Sequence, residues 1–254
     1  MRNNKIVAGI LDQMGAIKTG GHFVYTSGLH GPNYVAKDTL YTDPLKTFIV
    51  CNELAATIFH HCGALRINDI VVVSPVAGGV ALSQWVTYSL LKIGGAAEKS
   101  FRASAVFADK DQKVVTLRKN ESVKIGDEWQ NVPDGASILL DIGSFIIKRN
   151  YGKLIKGKKV VVVEDVITTG KSVKGTIEAV TKGGGEVVMV AAICNRGGVT
   201  ALDLDVPYLH SALNFKFETF DPKSPQGCPI CQLGVIPINT EFGHGKKFLE
   251  SKGE

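Results

Sequence analysis

The chain has 254 residues, 44% of them hydrophobic and 21% charged, with a net charge of +5. That balance excludes a disordered or fibrous chain, and no apolar run approaches the ~18 residues of a membrane helix. The five cysteines are an odd set in a chain whose first residues lack the apolar core of an export signal, so a disulfide framework is not expected and a cytoplasmic setting is the default.

In chain order, residues 5–14 read as a short amphipathic helix. FVYTS and NYVAK read as two short strands around the turn SGLHGP. From Pro44 to His61, the apolar residues Leu45, Phe48, Ile49, Ala56 and Phe59 fall at helical spacing. DIVVVSP is a continuous β-branched run, so a strand buried on both faces, and AGGVALSQWVTYSLLK is the helix after it. RASAVFA is a second buried strand and VVVVED a third, followed by the helix KSVKGTIEAVTKGG. EVVMVAAICN is a fourth strand. Strand and helix alternate, which predicts an α/β fold around a mostly parallel, doubly wound sheet with right-handed crossovers, as a single domain over 1–254.

Two stretches stand apart. Residues 109–157 are long and polar for a connection, with an apolar run, SILLDIGSFII, of their own; long connections are usually functional or mobile. The tail, 217–254, is rich in Pro and Gly and carries CPIC. Basic residues gather from Lys148 to Lys159, either as a solvated loop or facing a phosphate. Tyr151 is the one aromatic among them, too few to interleave with the charge, which argues against nucleic acid.

The most informative stretch is VVVVEDVITTGKS, Val160 to Ser172. TTGKS sits where a strand hands over to a helix. Unpaired backbone N–H groups and the positive end of the helix dipole bind an anion there. Gly170 permits close backbone approach, and Thr168, Thr169 and Ser172 add hydroxyls. A triphosphate-binding P-loop would need Gly where Asp165 stands, so that reading is poor. Carboxylates beside a monophosphate site fit better as acceptors for sugar hydroxyls. Glu164 and Asp165 would hold two vicinal hydroxyls while TTGKS holds a 5′-phosphate.

An apolar strand, two acids, two further residues and Thr-Thr-Gly resemble the phosphoribosyl pyrophosphate (PRPP) signature of the type I phosphoribosyltransferases. The resemblance implies that Glu164, Asp165, Val166, Ile167, Thr168, Thr169, Gly170, Lys171 and Ser172 bind PRPP. SPVAGGV resembles the family's pyrophosphate loop, giving Pro75, Val76, Ala77, Gly78 and Gly79 that role.

Three stretches point to the orotate branch of the family. GHFVYTSGLHGPNYVAKDTLYTDP resembles the segment that hoods the base there, which implies a hood from residues 1–42 and base contacts from Ser27, Gly28, Tyr34 and Lys37, with Thr168. AAICNRGG places Arg196 where that branch pairs an Arg with the orotate carboxylate, and a planar guanidinium matches a carboxylate bidentately. The CPIC tail is similar to the C-terminus of one bacterial and archaeal subgroup, and joins the hood.

The resemblance further implies a mobile basic loop in 109–157, split by an insertion around 116–142. Lys110, Lys148 and Arg149 would contact pyrophosphate and, with Asp165, serve catalysis. It implies Mg²⁺ held mainly by PRPP oxygens with no certain protein ligand, and a homodimer in which the loop closes over the neighbouring site. Alternatives from the same fold are a transferase for another base, such as a purine, and a PRPP-binding sensor without turnover.

Cys228 and Cys231 supply half of a tetrahedral metal site. No second CxxC follows, and completion by His244 and His210 matches no established spacing. The simpler reading is a turn that anchors the tail with two buried thiols. Cys51, Cys62 and Cys194 read as core.

Overall fold

The computed structural model describes residues 3–25, 27–97, 100–116, 122–125, 128–131 and 135–251. The N-terminal part holds helix α1 (Lys5–Gln13), four two-residue strands β1 (Ile17–Lys18), β2 (Phe23–Val24), β3 (His30–Gly31) and β4 (Tyr34–Val35), and a 3-10 turn over Lys37–Thr42. Then come α2 (Pro44–Ala64), β5 (Asp69–Pro75), α3 (Gly79–Ala96), β6 (Arg102–Thr116), β7 (Ser122–Ile125), β8 (Glu128–Asn131) and β9 (Ser137–Ile146). The remainder is α4 (Tyr151–Ile155), β10 (Lys159–Ile167), α5 (Lys171–Lys182), β11 (Glu186–Asn195), β12 (Leu209–Asn214), α6 (Pro229–Leu233) and α7 (Gly245–Glu250). No helix among the described residues is long and apolar enough to cross a membrane.

Six strands form the central sheet in the order β12-β11-β10-β5-β6-β9. The first five run parallel, and β9 joins the edge antiparallel. The apolar runs explain why. Successive side chains of a strand face opposite ways, so a strand covered on both faces must be apolar at every position. On β10, Val161 and Val163 enter the core shared with α1, α2 and α3, while Val160 and Val162 enter the core beneath α5. On β5, Ile70 and Val72 divide from Val71 and Val73 in the same way. Helix α2 starts where Asp43 accepts from the Leu45 and Lys46 N–H groups and Pro44 occupies the first turn, a strong start signal.

The structure corrects the sequence reading in three places. β2 pairs with β3, not with NYVAK, and β4 pairs with β1. Pro32 lies between β3 and β4 and has no N–H with which to continue a ladder, so the chain changes partner there. β12 was not expected: Leu-His-Ser-Ala-Leu-Asn has no β-branched residue, and its place comes from pairing with β11. Finally, much of the polar region 109–157 is β-ribbon rather than loop. β6 runs on past the core and pairs with β9 from Asp109↔Ile146 to Thr116↔Ser137, and β7 pairs with β8. Leu117 to Asn120, at the end of the first basic flank, lie outside the described residues.

Candidate functional site

The carboxyl ends of β10 and β11, the N-terminus of α5 and the N-terminal hairpin enclose a cavity of about 500 Å³. Strand ends of an open parallel sheet are where such folds place ligands. Glu164, Val166, Ile167, Thr168, Thr169, Gly170, Lys171 and Ser172 line one side; Tyr25, Ser27, Tyr34, Lys37, Arg196 and His244 line the other.

The phosphate half is built by backbone. Gly170 has φ +74° and is the residue from which α5 departs, a conformation that costs glycine little. Lys171, Ser172 and Val173, the first turn of α5, line the cavity, and a helix N-terminus offers unpaired N–H groups to an anion. Gly197 has a different task. A Cβ there would overlap the Thr168 carbonyl, so only glycine lets the end of β11 lie against the phosphate loop. That approach is fastened by Arg196 N–H donating to the Ile167 carbonyl at 3.0 Å.

The acidic pair is buried. Asp165 is 2% exposed and Glu164 6%. Lys37 Nζ lies 3.0 Å from Asp165 Oδ1 and 2.8 Å from Oδ2, bridging the hood to the strand end. Burial pulls the Lys37 ammonium down, but the Asp165 carboxylate outweighs it and the net shift is upward. Burial, and then Asp165, push the Glu164 carboxyl well above its ordinary range. Gly78, from the second anion loop, packs against this pair: a Cβ there would collide with Asp165 Oδ2 and crowd Lys37 Nζ. The Val76–Ala77 peptide in that loop is cis.

The other wall centres on Arg196. Its guanidinium donates from Nε to Thr168 Oγ1 at 3.1 Å, lies 4.3 Å from the centre of the Tyr25 ring and 6.0 Å from that of Tyr34. Burial lowers its pKa, a sign of how far the cation is drawn out of water. Tyr25 donates its hydroxyl to the Asn33 carbonyl at 2.5 Å, which fixes the ring beneath the guanidinium. A desolvated planar cation facing a cavity is suited to a carboxylate.

Of the residues singled out in the sequence, the structure thus brings together Glu164 to Ser172, Ser27, Tyr34, Lys37 and Arg196. Pro75 to Gly79 come beside them through Gly78. Gly28, at φ +81°, shapes the hairpin turn but does not line the cavity. Lys110, Lys148 and Arg149 do not line it either. Lys148 Nζ donates to the Lys110 carbonyl at 3.3 Å, and Arg149 lies 5.1 Å from the centre of the Phe107 ring, so they group with one another at the root of the ribbon. Sequence reasoning missed Tyr25 and His244 as cavity residues. An aromatic two places before Ser27 was the available signal for Tyr25; nothing local marked His244.

Residues 39–220 match the profile of the phosphoribosyl transferase domain family. The chain belongs to that family. It is similar to an orotate phosphoribosyltransferase of Thermotoga maritima, 32% identical over 239 residues covering 94% of this chain and 98% of the relative. It is also similar to one of Caldicellulosiruptor bescii, 31% identical with 86% of each chain covered. Among solved structures, UMP synthase of Leishmania donovani superposes with a TM-score of 0.51 at 15% identity. That likeness concerns the fold alone; it covers 82% of this chain and 35% of the longer one. The phosphoribosyltransferase is a pentosyltransferase; the cavity residues from Glu164 to Val173 and Arg196 lie within the matched stretch, whereas Tyr25, Ser27, Tyr34, Lys37 and His244 lie outside it.

Proposed function

We propose that this phosphoribosyltransferase transfers the phosphoribosyl group of PRPP to orotate, giving orotidine 5′-monophosphate and pyrophosphate. One observation carries the choice of base: the Arg196 guanidinium, fixed by Thr168 and Tyr25, faces the same cavity as the phosphate loop. A purine offers no carboxylate to such a cation. The relatives named above carry the same activity in their names.

In the reaction, the bond from ribose C1 to pyrophosphate breaks and a bond from C1 to the base nitrogen forms. No protein nucleophile is required; positioning and charge stabilisation carry the rate. The α5 N-terminus holds the 5′-phosphate, Glu164 and Asp165 accept the ribose hydroxyls, and the Pro75–Gly79 loop receives the leaving pyrophosphate. Lys37, now paired with Asp165, turns to the base or pyrophosphate once hydroxyls satisfy that carboxylate. Lys110, Lys148 and Arg149 reach the site by movement of the ribbon root or from a second subunit, consistent with a homodimer.

Mg²⁺ fits the donor set in one way. Asp165 is occupied by Lys37 and Glu164 is held toward its neutral form, so neither is a ready-made ligand. Among the described residues no group of three carboxylates gathers here. The ion would be carried by PRPP oxygens and water, neutralising the leaving group.

The test is product formation with PRPP, Mg²⁺ and one base at a time. Orotate is expected to react and uracil, hypoxanthine, xanthine and adenine not to. Arg196→Ala removes a charge-assisted contact of about 1.5–3 kcal/mol, so orotate efficiency should fall at least ten-fold with PRPP binding retained. Turnover of a purine instead would move the substrate; PRPP binding without turnover of any base would make the chain a sensor.

A further inference from the structure

We propose that His22, His30, Cys228 and Cys231 form a closed tetrahedral zinc site that clamps the N-terminal hairpin to the C-terminal tail. The sequence did not disclose it. Cys228 and Cys231 lacked partners at any established spacing, and the histidines weighed for them were His210 and His244. The fold instead brings two histidines to the cysteines from some 200 positions earlier in the chain.

The four ligand atoms, two imidazole nitrogens and two sulfurs, lie within 4.8 Å of one another. His22 Nε2 is 3.0 Å from His30 Nδ1, 3.5 Å from Cys231 Sγ and 3.8 Å from Cys228 Sγ; His30 Nδ1 is 3.3 Å from Cys231 Sγ. A tetrahedral zinc ion, with bonds of about 2.0 Å to nitrogen and 2.3 Å to sulfur, holds nitrogen and sulfur about 3.5 Å apart and two nitrogens about 3.3 Å apart. The observed separations scatter around those values with no rearrangement of backbone.

The donor set and its surroundings agree. Two thiolates and two imidazoles in tetrahedral disposition select zinc over hard cations such as Mg²⁺ or Ca²⁺. Four protein ligands leave no open position, so the role is structural. His22 Nδ1 lies 3.2 Å from the Ile236 carbonyl, which takes the ring proton and leaves the Nε2 lone pair facing the other three atoms. His22, His30 and Cys228 are 2%, 0% and 2% exposed. Cys231 is exposed, which gives the ion a way in and corrects the expectation of two buried thiols. Pro229 opens the helical turn that carries both sulfurs to one side.

The other cysteines are different. Burial pushes the thiols of Cys51 and Cys194 up to about 12 and that of Cys62 to about 11, as core residues. His210 lies on β12, away from the cluster, and His244 lines the cavity.

The consequence reaches the base site. His22 and His30 flank the hairpin whose loop carries Tyr25 and Ser27. The tail that the clamp fixes also donates the His244 N–H to the Val24 carbonyl.

The test uses the full chain purified without chelator. Elemental analysis should find about one zinc ion per chain. Protein made in cobalt-supplemented medium should show the intense ligand-field bands of tetrahedral cobalt and a thiolate charge-transfer band. Cys231→Ser, the least buried ligand, should lose metal and weaken that band, while His210→Gln keeps both. Metal far below one per chain together with absent cobalt bands would overturn the site. So would metal content unchanged in both Cys231→Ser and His22→Gln, since the ion would then lie elsewhere.

Discussion

Glu164 couples its protonation to folding. Burial, and then the neighbouring Asp165 carboxylate, hold its carboxyl well above the ordinary 4.5. The folded chain therefore binds this proton more tightly than the unfolded chain. The stabilisation is complete below the ordinary value and is lost as pH rises through the raised one. Glu164→Gln keeps the shape without the titration. The melting temperature of the parent minus that of the variant is expected to fall from about pH 5 to about pH 8. A difference that stays flat across that range would count against the buried-acid reading. Sugar hydroxyls donate to the charged carboxylate, so PRPP affinity should rise over the same window. The residues of this corner are legible in the sequence because they are neighbours in it: two acids and a Thr-Thr-Gly at the end of an apolar strand describe their own surroundings. Lys37 is legible only as a base contact. Its pairing with Asp165 joins positions 128 apart, which no local pattern encodes.

At the scale of elements, what could be read was what was buried on both sides. β5, β10 and β11 announce themselves as unbroken apolar runs because sheet and helices cover each face. The outer half of β6, residues 109–116, is mostly polar and without a buried residue, so the same test reads it as loop. The β6–β9 ribbon still touches the fold: a Cβ at Gly175 of α5 would collide with the Phe145 ring of β9. Thr116 and Ser137 are register partners, so an Asn-Gly turn can join them directly. Replacing residues 117–136 in this way should leave the melting temperature within a few degrees and PRPP binding intact, by thermal denaturation and calorimetry. Loss of PRPP binding would show that the ribbon's tip supports the cavity.

For the whole molecule, the sheet and its two apolar layers form a stable base, and the cavity is closed by pieces from both ends of the chain. The outer face of α2 and α3 leaves Leu45, Tyr88 and Leu91 exposed at 68%, 48% and 43%, around a cluster in which Phe48 lies 6.3 Å from Trp85 and 6.1 Å from Tyr88. An apolar patch of that kind marks an interaction surface, and it is where the proposed homodimer would form. Light scattering after gel filtration should give a dimer for the parent chain and a monomer for Leu91→Asp; a monomeric parent would remove the dimer.

The hairpin at Phe23–Gly31 is bracketed by the tail: His30 bridges Phe220, and Asn239 N–H donates to the His22 carbonyl. This orders events during synthesis. A chain still emerging from the ribosome carries every strand of the sheet once β12 is out, whereas the residues that bracket the hairpin, Phe220, Asn239 and His244, follow it. The hairpin side of the cavity is thereby expected to close after the sheet, and a chain cut short after residue 220 is expected to keep the strands of the sheet and bind the base less well.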